Sequence, residues 1–200
     1  MLKATDLKKS YRGQNILDGV NLELEPGQIS VIVGPSGSGK TTLLKVISML
    51  DPPHSGSIEV DDWSVRFPLE KGKKLQPPWP KLTVVFQQLF LWPHLTLLQN
   101  ITLPVFLRHS KEDQQKVEEL IDLFEMRSFI YRYPNEASLG QRQRAALARA
   151  LLLQPKYLLL DEITSSLDVE QVAIILSYLK KTGADRNWNF DCHSLVAFRS

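Results

Sequence analysis

Two hundred residues suffice for one domain with a full core and at most a small subdomain, and leave too little chain for two independent domains. A net charge of +2 gives no general electrostatic case for nucleic acid as a partner, and the single cysteine, Cys192, permits no internal disulfide and fits a reducing compartment. The longest apolar runs, Leu151-Leu152-Leu153 and Tyr157 to Leu160, fall far short of a bilayer-spanning helix, and Met1 to Asp6 carries no apolar signal segment, so a cytosolic chain is expected.

Three short β-like runs open the chain: Leu2 to Leu7, Ile16 to Leu24 and Gln28 to Val33. Arg12-Gly13-Gln14-Asn15 and Glu25-Pro26-Gly27-Gln28 separate them as turns, and the alternation Val20, Leu22, Leu24 suits a strand with one buried face. Tyr11 ends the first run, where its ring can either pack in a core or stack on a flat purine. The third run stops at Gly34-Pro35-Ser36-Gly37-Ser38-Gly39-Lys40-Thr41-Thr42 and leads into Leu43-Leu44-Lys45-Val46-Ile47, which reads as strand, phosphate loop, helix. Gly34, four residues, Gly39, Lys40 and Thr41 fit the P-loop pattern of a nucleoside-triphosphate binder. Glycines let the backbone N–H groups turn inward around phosphate oxygens in conformations that a Cβ would obstruct. Lys40 would reach the β- and γ-phosphates, Thr41 would ligate Mg²⁺, and the helix would point its partly positive N-terminus at the same anion.

Asp51-Pro52-Pro53 ends that helix, and Ser57 to Val60 reads as a short strand. Residues 61 to 82, with Pro68, Pro77, Pro78 and Pro80 and the lysines Lys71, Lys73 and Lys74, are expected to form an exposed loop with at most one helical turn. Thr83 to Phe86 is a buried strand candidate, and Gln87 just beyond it can offer its amide oxygen to a metal ion or a water. Thr96 and Gln99 have capping-box spacing for a helix beginning near Leu97 and ended or kinked by Pro104. Ser110 caps a second helix, with Val117, Leu120, Ile121 and Phe124 at helical spacing, so residues 95 to about 137 read as a helical unit inserted into an α/β body.

Ser138-Leu139-Gly140-Gln141 has capping-box spacing again and opens a helix through Ala150 that Gln154-Pro155 closes. A serine hydroxyl, a glycine N–H and a helix N-terminus then stand together as a second potential phosphate grip. Lys156 to Glu162 is an apolar strand ending in two carboxylates, at the edge where α/β folds place ligands. Val172, Ile175, Leu176 and Leu179 predict one more amphipathic helix, closed by Lys180, Lys181 and Gly183.

Together these motifs resemble the ATP-binding subunit of an ABC transporter, over residues 1 to about 183 and in the family's order. The resemblance implies an α/β fold of the P-loop NTPase, ABC ATPase type, with a mostly parallel core sheet and its helices, an N-terminal antiparallel β element and an inserted helical subdomain. It implies ATP and Mg²⁺ as cofactors. Tyr11 falls where the family's adenine-stacking aromatic lies, and Gly34 to Thr41 is similar to Walker A, with Thr42 beside it among the nucleotide-binding residues. Gln87 matches the Q-loop glutamine, which in the family touches Mg²⁺ and senses the membrane partner. Ser138, Leu139, Gly140 and Gln141 are similar to the signature sequence. Leu158 to Asp161 resembles Walker B, with Asp161 and Thr41 as metal ligands, Glu162 as the catalytic carboxylate and Ser165 to Asp168 as the D-loop. Val85-Phe86-Gln87-Gln88 and Pro93-His94-Leu95-Thr96 look most like importers of polar amino acids.

The implied mechanism is a head-to-tail dimer that sandwiches two ATP molecules, each held by the P-loop of one chain and the signature helix of the other. Glu162 would polarise the attacking water, Lys40 and Mg²⁺ would neutralise charge on the γ-phosphoryl group, and opening of the dimer would drive a permease. The implied partners are an integral-membrane permease, a second ATPase subunit and, indirectly, a substrate-binding protein, with no nucleic acid. The implied location is cytoplasmic, on the inner face of the cell membrane through the permease.

The sequence departs from the family's pattern at Leu139, where the family has glycine, and more mildly at Ala137 for leucine and Ile163 for proline. Leucine keeps its N–H but brings a branched side chain to a place where backbone should approach phosphate. Near residue 190 the family has a buried strand ending in threonine and a switch histidine. His193 stands at about the right separation from Asp161 to be that histidine, and it is the third candidate catalytic residue beside Glu162 and Lys40. Its approach, Arg186 to Cys192, is too polar for a buried strand, so the final strand is expected to be missing. Read one nucleotide later, degenerate codons for Phe190 to Ser194 can spell Leu-Ile-Val-Thr-His, which predicts a reading-frame shift near residues 183 to 186. The expected layout is therefore a cassette at 1–183, its helical unit at about 95–137, and a non-native tail at 184–200. Two other readings stay open: a non-catalytic or vestigial ATP-binding subunit, disabled at Leu139 and the C-terminus, and a nucleotide kinase of the guanylate-kinase type.

Overall fold

The structure, a computed structural model, describes residues 1–24, 29–106 and 110–161 and the backbone of 194–199. β1 (Leu2–Tyr11) and β2 (Gln14–Leu24) form an antiparallel hairpin whose two-residue turn, Arg12 at φ 50° and Gly13 at φ 80°, has the positive φ pair that matches strand twist. β4 (Ser55–Val60) pairs with the other edge of β1. The approach there is close: a Cβ on Gly56 would stand 2.7 Å from the carbonyl oxygens of both Thr5 and Asp6, so only glycine fits.

β5 (Trp63–Phe67) completes this sheet in the order β2-β1-β4-β5. It corrects the expected loop at 61–82. The prolines begin only at Pro68, and Trp63, Val65 and Phe67 alternate with polar residues as an edge strand should, each more buried than Ser64 and Arg66 between them.

The second sheet is parallel, in the order β3-β8-β7-β6, and it positions the site. Its strands are β3 (Ile29–Val33), β6 (Leu82–Val85), β7 (Tyr157–Asp161) and β8 (Ser194–Arg199). All of β7 is buried, with Tyr157 and Leu159 in one apolar cluster and Leu158 and Leu160 in another, so the strand is cored on both faces. The expectation of a missing final strand is corrected by β8, which lies between β3 and β7 with parallel pairing to both. The sequence supports it beyond the polar approach: Leu195-Val196-Ala197-Phe198 is an apolar run just C-terminal to where the strand was sought.

α1 (Lys40–Ile47) follows the phosphate loop directly, and α2 (Leu97–Thr102), α3 (Lys111–Leu123) and α4 (Leu139–Leu152) begin where their caps predict. Thr96 and Ser138 each form a reciprocal capping box, with Gln99 and Gln141, and Ser110 accepts from the Asp113 N–H at 3.0 Å. Pro104 ends α2 in a 3-10 turn at Leu103–Val105. One apolar cluster joins α1 to the antiparallel sheet, and the other packs α2, α3 and α4 against Val85, Leu158 and Leu160. Fully buried Asn100 pins the loop between β6 and α2, accepting from the Trp92 N–H at 2.7 Å and donating to the carbonyls of Trp92, Leu95 and Thr96. The turn at 25–28 and the helix expected at 172–179 lie outside the described residues.

Asp61 ties the two sheets together. Its carboxylate accepts from the Met1 ammonium at 2.8 Å, from the Tyr157 hydroxyl at 2.8 Å and from the Lys156 ammonium at 2.9 Å. Partial burial pushes its pKa up, but these hydrogen bonds outweigh burial and hold it at about 2. A folded pKa below the unfolded value stabilises fully above the unfolded pKa, and the gain is lost as pH falls from about 4 to 2. Asp61→Asn is thus expected to cost roughly 1 to 2 kcal/mol at pH 7 after allowance for solvent screening. Paired melting curves check this, because the gap between wild type and variant should close by pH 2; a gap that stays constant with pH contradicts it.

Candidate nucleotide site

The loop between β3 and α1 is shaped by glycines at two positions that L side chains rarely adopt, Gly37 at φ 81° and Gly39 at φ 94°. Gly39 is the N-cap of α1, and a Cβ there would sit 3.1 Å from both the carbonyl oxygen and Cγ2 of Ile16. Ser38 N–H donates to the Pro35 carbonyl at 3.2 Å and closes the turn. Lys40, 9% exposed, donates its ammonium to the carbonyls of Gly34 at 2.7 Å and Pro35 at 2.9 Å. The amine is therefore held over the loop at the N-terminus of α1, where a cation and helix dipole together favour an anion.

Parallel pairing in the second sheet brings Asp161, at the C-terminal end of β7, to the next residue of α1. The Thr41 hydroxyl donates to Asp161 Oδ1 at 3.3 Å across 120 residues of sequence, and Asp161 is 3% exposed. A hydroxyl beside a buried carboxylate is an oxygen donor pair of the kind a hard divalent cation takes. Tyr11 arrives from the end of β1, and with Ile16, Ser36, Gly37, Gly39, Lys40, Thr41 and Thr42 it lines one cleft of about 260 Å³. The structure thus brings together Tyr11, the P-loop residues from Ser36 to Thr42 that line the cleft, and Asp161 beside Thr41, and adds Ile16, whose contribution no local pattern marks.

The other candidates stand apart from this cleft. Gln87 is exposed two residues beyond β6. Ser138, Leu139, Gly140 and Gln141 form the solvent-facing tip of α4 and do not line the cleft, and Leu139 is 56% exposed. The Ser138 hydroxyl accepts from the Gln141 N–H at 3.2 Å, and a Cβ on Gly140 would meet nothing within 4 Å. Arg149 joins the two outlying segments: its guanidinium donates to the carbonyls of Leu89 at 2.7 Å and Phe90 at 2.9 Å, just beyond Gln87, and burial pushes its pKa down. Sequence alone marks Arg149 only as a helix residue.

Glu162, Asp168 and His193 lie outside the described residues. β8 begins opposite Tyr157 and ends with Phe198 opposite Asp161 and Arg199 opposite Val33, so its site-facing end carries those residues and not a histidine.

Comparison with known proteins agrees with this geometry. A family profile described as ABC transporter matches residues 17–165. Octopine permease ATP-binding protein P of Rhizobium meliloti is 37% identical over 195 residues, covering 92% of this chain and 74% of that one. Lipoprotein-releasing system ATP-binding protein LolD 1 of Rhodopirellula baltica is 38% identical, with 94% and 84% covered. Among solved structures, the dimeric ATP-binding cassette MJ0796 in a post-hydrolysis state with ADP and Pi aligns with a TM-score of 0.78 and 31% identity, covering 100% of this chain and 88% of that one. A buried P-loop lysine, a hydroxyl–carboxylate pair and a capped signature helix, on a fold and sequence similar to these cassettes, identify the chain as an ATP-binding, ATP-hydrolysing member of the ABC transporter family.

Proposed function

We propose that the chain energises a membrane importer of polar amino acids, using Mg²⁺ with ATP, as a dimer docked on an integral-membrane permease at the cytoplasmic face. The observation that carries the catalytic part is the contact of Thr41 with buried Asp161 beside the Lys40-filled P-loop. L-cystine transport system ATP-binding protein TcyN of Escherichia coli, 35% identical with 92% of this chain and 76% of that one covered, supports the cargo class, as does the octopine relative. No helix among the described residues is long and apolar enough to cross a membrane, so attachment would run through a partner.

Mg²⁺, when bound, supplies positive charge to the β- and γ-phosphates. Thr41 and Asp161 are the residues that would hold it, joined by Gln87 from the segment beyond β6. Lys40 exchanges its two carbonyl partners for phosphate oxygens. Glu162, next after Asp161, orients and polarises the attacking water as general base. The N-terminus of α4, with Ser138 and the N–H groups of Leu139 and Gly140, completes the partner chain's site, which accounts for its exposure here. Residues 1–183 constitute this cassette, with β8 adding a strand to its parallel sheet, and 95–137 its helical unit. The segment 184–200 is assigned to a shifted reading frame, which the nucleotide sequence tests directly.

A second reading, an ATP-binding subunit without turnover, is favoured by Leu139 at the tip of α4. The nucleotide-kinase alternative is not favoured, since the family match takes in the signature helix and Asp161 as well as the P-loop. ATP binding and turnover by purified wild-type chain and Glu162→Gln separate the remaining two. Under the proposal the variant retains ATP and loses at least about a hundredfold in turnover. If wild type and variant bind ATP equally and neither turns it over, the second reading replaces the first.

A further inference from the structure

Lys9 lies on the inward side of β1 at 7% exposure, between Leu7 and Tyr11, in a place where an apolar residue would keep the alternation. A buried ammonium persists only when it is well paired. Its partners are both in the segment that follows α1: the Asp51 carboxylate, and the Pro52 carbonyl at 2.7 Å. Asp51 in turn accepts a hydrogen bond from the Tyr11 hydroxyl. The Lys9 ammonium also stands 5.4 Å from the centroid of the Tyr11 ring, over its face. The ring is therefore fixed at both ends, by β1 at its Cβ and by Asp51 at its oxygen, with a cation against one face while it lines the nucleotide cleft.

We infer that Asp51, locked in place by Lys9, is a positioning residue for the nucleobase: it holds the Tyr11 ring in the pose on which a purine stacks. This rests on the reading that Tyr11 receives the base. Asp51 leaves the C-terminal end of the helix whose N-terminus carries the phosphate loop, so α1, about 12 Å long, spans from the triphosphate grip to the base platform. Thr42, a lining residue of the cleft, is a further hydrogen-bonding neighbour of the same phenol. Base and phosphate subsites are thus joined through one rigid element. An unbraced phenol would have to be ordered on binding, and that cost would fall on the base and not on the phosphates. Because stacking reads a π-face and not its edge, the brace strengthens ATP and GTP alike.

The test measures equilibrium binding of MgATP, MgGTP and Mg-tripolyphosphate to the full chain for wild type, Asp51→Ala, Tyr11→Phe and Lys40→Ala. Tyr11→Phe keeps the ring and removes only the hydroxyl, with its bonds to Asp51 and Thr42, so it remains informative if Asp51→Ala, which strands Lys9, fails to fold. Both brace variants are expected to lose about five- to twentyfold in affinity for ATP and GTP, with tripolyphosphate unchanged within about twofold. Wild-type affinity for ATP in Tyr11→Phe overturns the inference, as does an equal loss for tripolyphosphate, which would make the cluster a support of the fold. If Lys40→Ala also leaves ATP and tripolyphosphate binding untouched, the assignment of the site fails instead of the brace.

Discussion

Lys40→Ala lowers kcat/KM for ATP by at least about a hundredfold and weakens MgATP binding by tenfold or more. The size follows from what the amine does. It is 9% exposed, held by two carbonyls of its own loop and set at the N-terminus of α1, and among the described residues it is the one side-chain cation lining the cleft. Charge-assisted hydrogen bonds of this kind are worth about 1.5 to 3 kcal/mol each, and they count for more in the transition state, where negative charge gathers on the transferred group. The substitution should leave the fold intact, because the released carbonyls belong to half-exposed Gly34 and exposed Pro35, where water can satisfy them. Steady-state ATPase measurements with a melting curve check both parts, and unchanged turnover in a folded variant contradicts the role.

Leu139→Gly should act in the opposite direction, raising ATP turnover and ATP-dependent dimerisation by about tenfold, which corresponds to about 1.4 kcal/mol. Leu139 is the first residue of α4 and 56% exposed, so its side chain supports no core that the change would empty. Its N–H already points out of the helix N-terminus, as glycine's would. What changes is access: a branched side chain stands where a partner's phosphate must come close to backbone donors. Gly140 offers the contrast, since none of the described residues comes within 4 Å of the position of its missing Cβ and none of them requires a glycine there. A small stability loss of about 0.5 to 1 kcal/mol should accompany the gain, from glycine's cost in a helix. Turnover and sedimentation with a non-hydrolysed ATP analogue read the two effects, and no change in either refutes the idea.

How far the sequence could be read depended on the range of the interactions. The capping boxes at Thr96 and Ser138, the P-loop and the double-faced strand β7 are written in residues a few positions apart, and each stands where the spacing puts it. β5 was hidden because the density of prolines from Pro68 onward coloured the whole stretch, although the alternation Trp63, Val65, Phe67 ends before them. β8 was hidden by its polar approach. Lys9, Asp51 and Arg149 have no local signal at all: one is a lysine in a strand, one an acid before prolines, one an arginine in an amphipathic helix. Their meaning arises only when the fold brings Lys9 against Asp51 and Arg149 against the Leu89 and Phe90 carbonyls.

The account stands on one claim, that the cleft at the start of α1 grips the triphosphate of ATP. Equilibrium binding of MgATP to the wild-type chain, with inorganic tripolyphosphate as competitor, tests it most directly. Saturation at one nucleotide per chain, displaced by tripolyphosphate, is the predicted result. A folded chain that retains no MgATP, or one that retains it against any excess of tripolyphosphate, would contradict the claim.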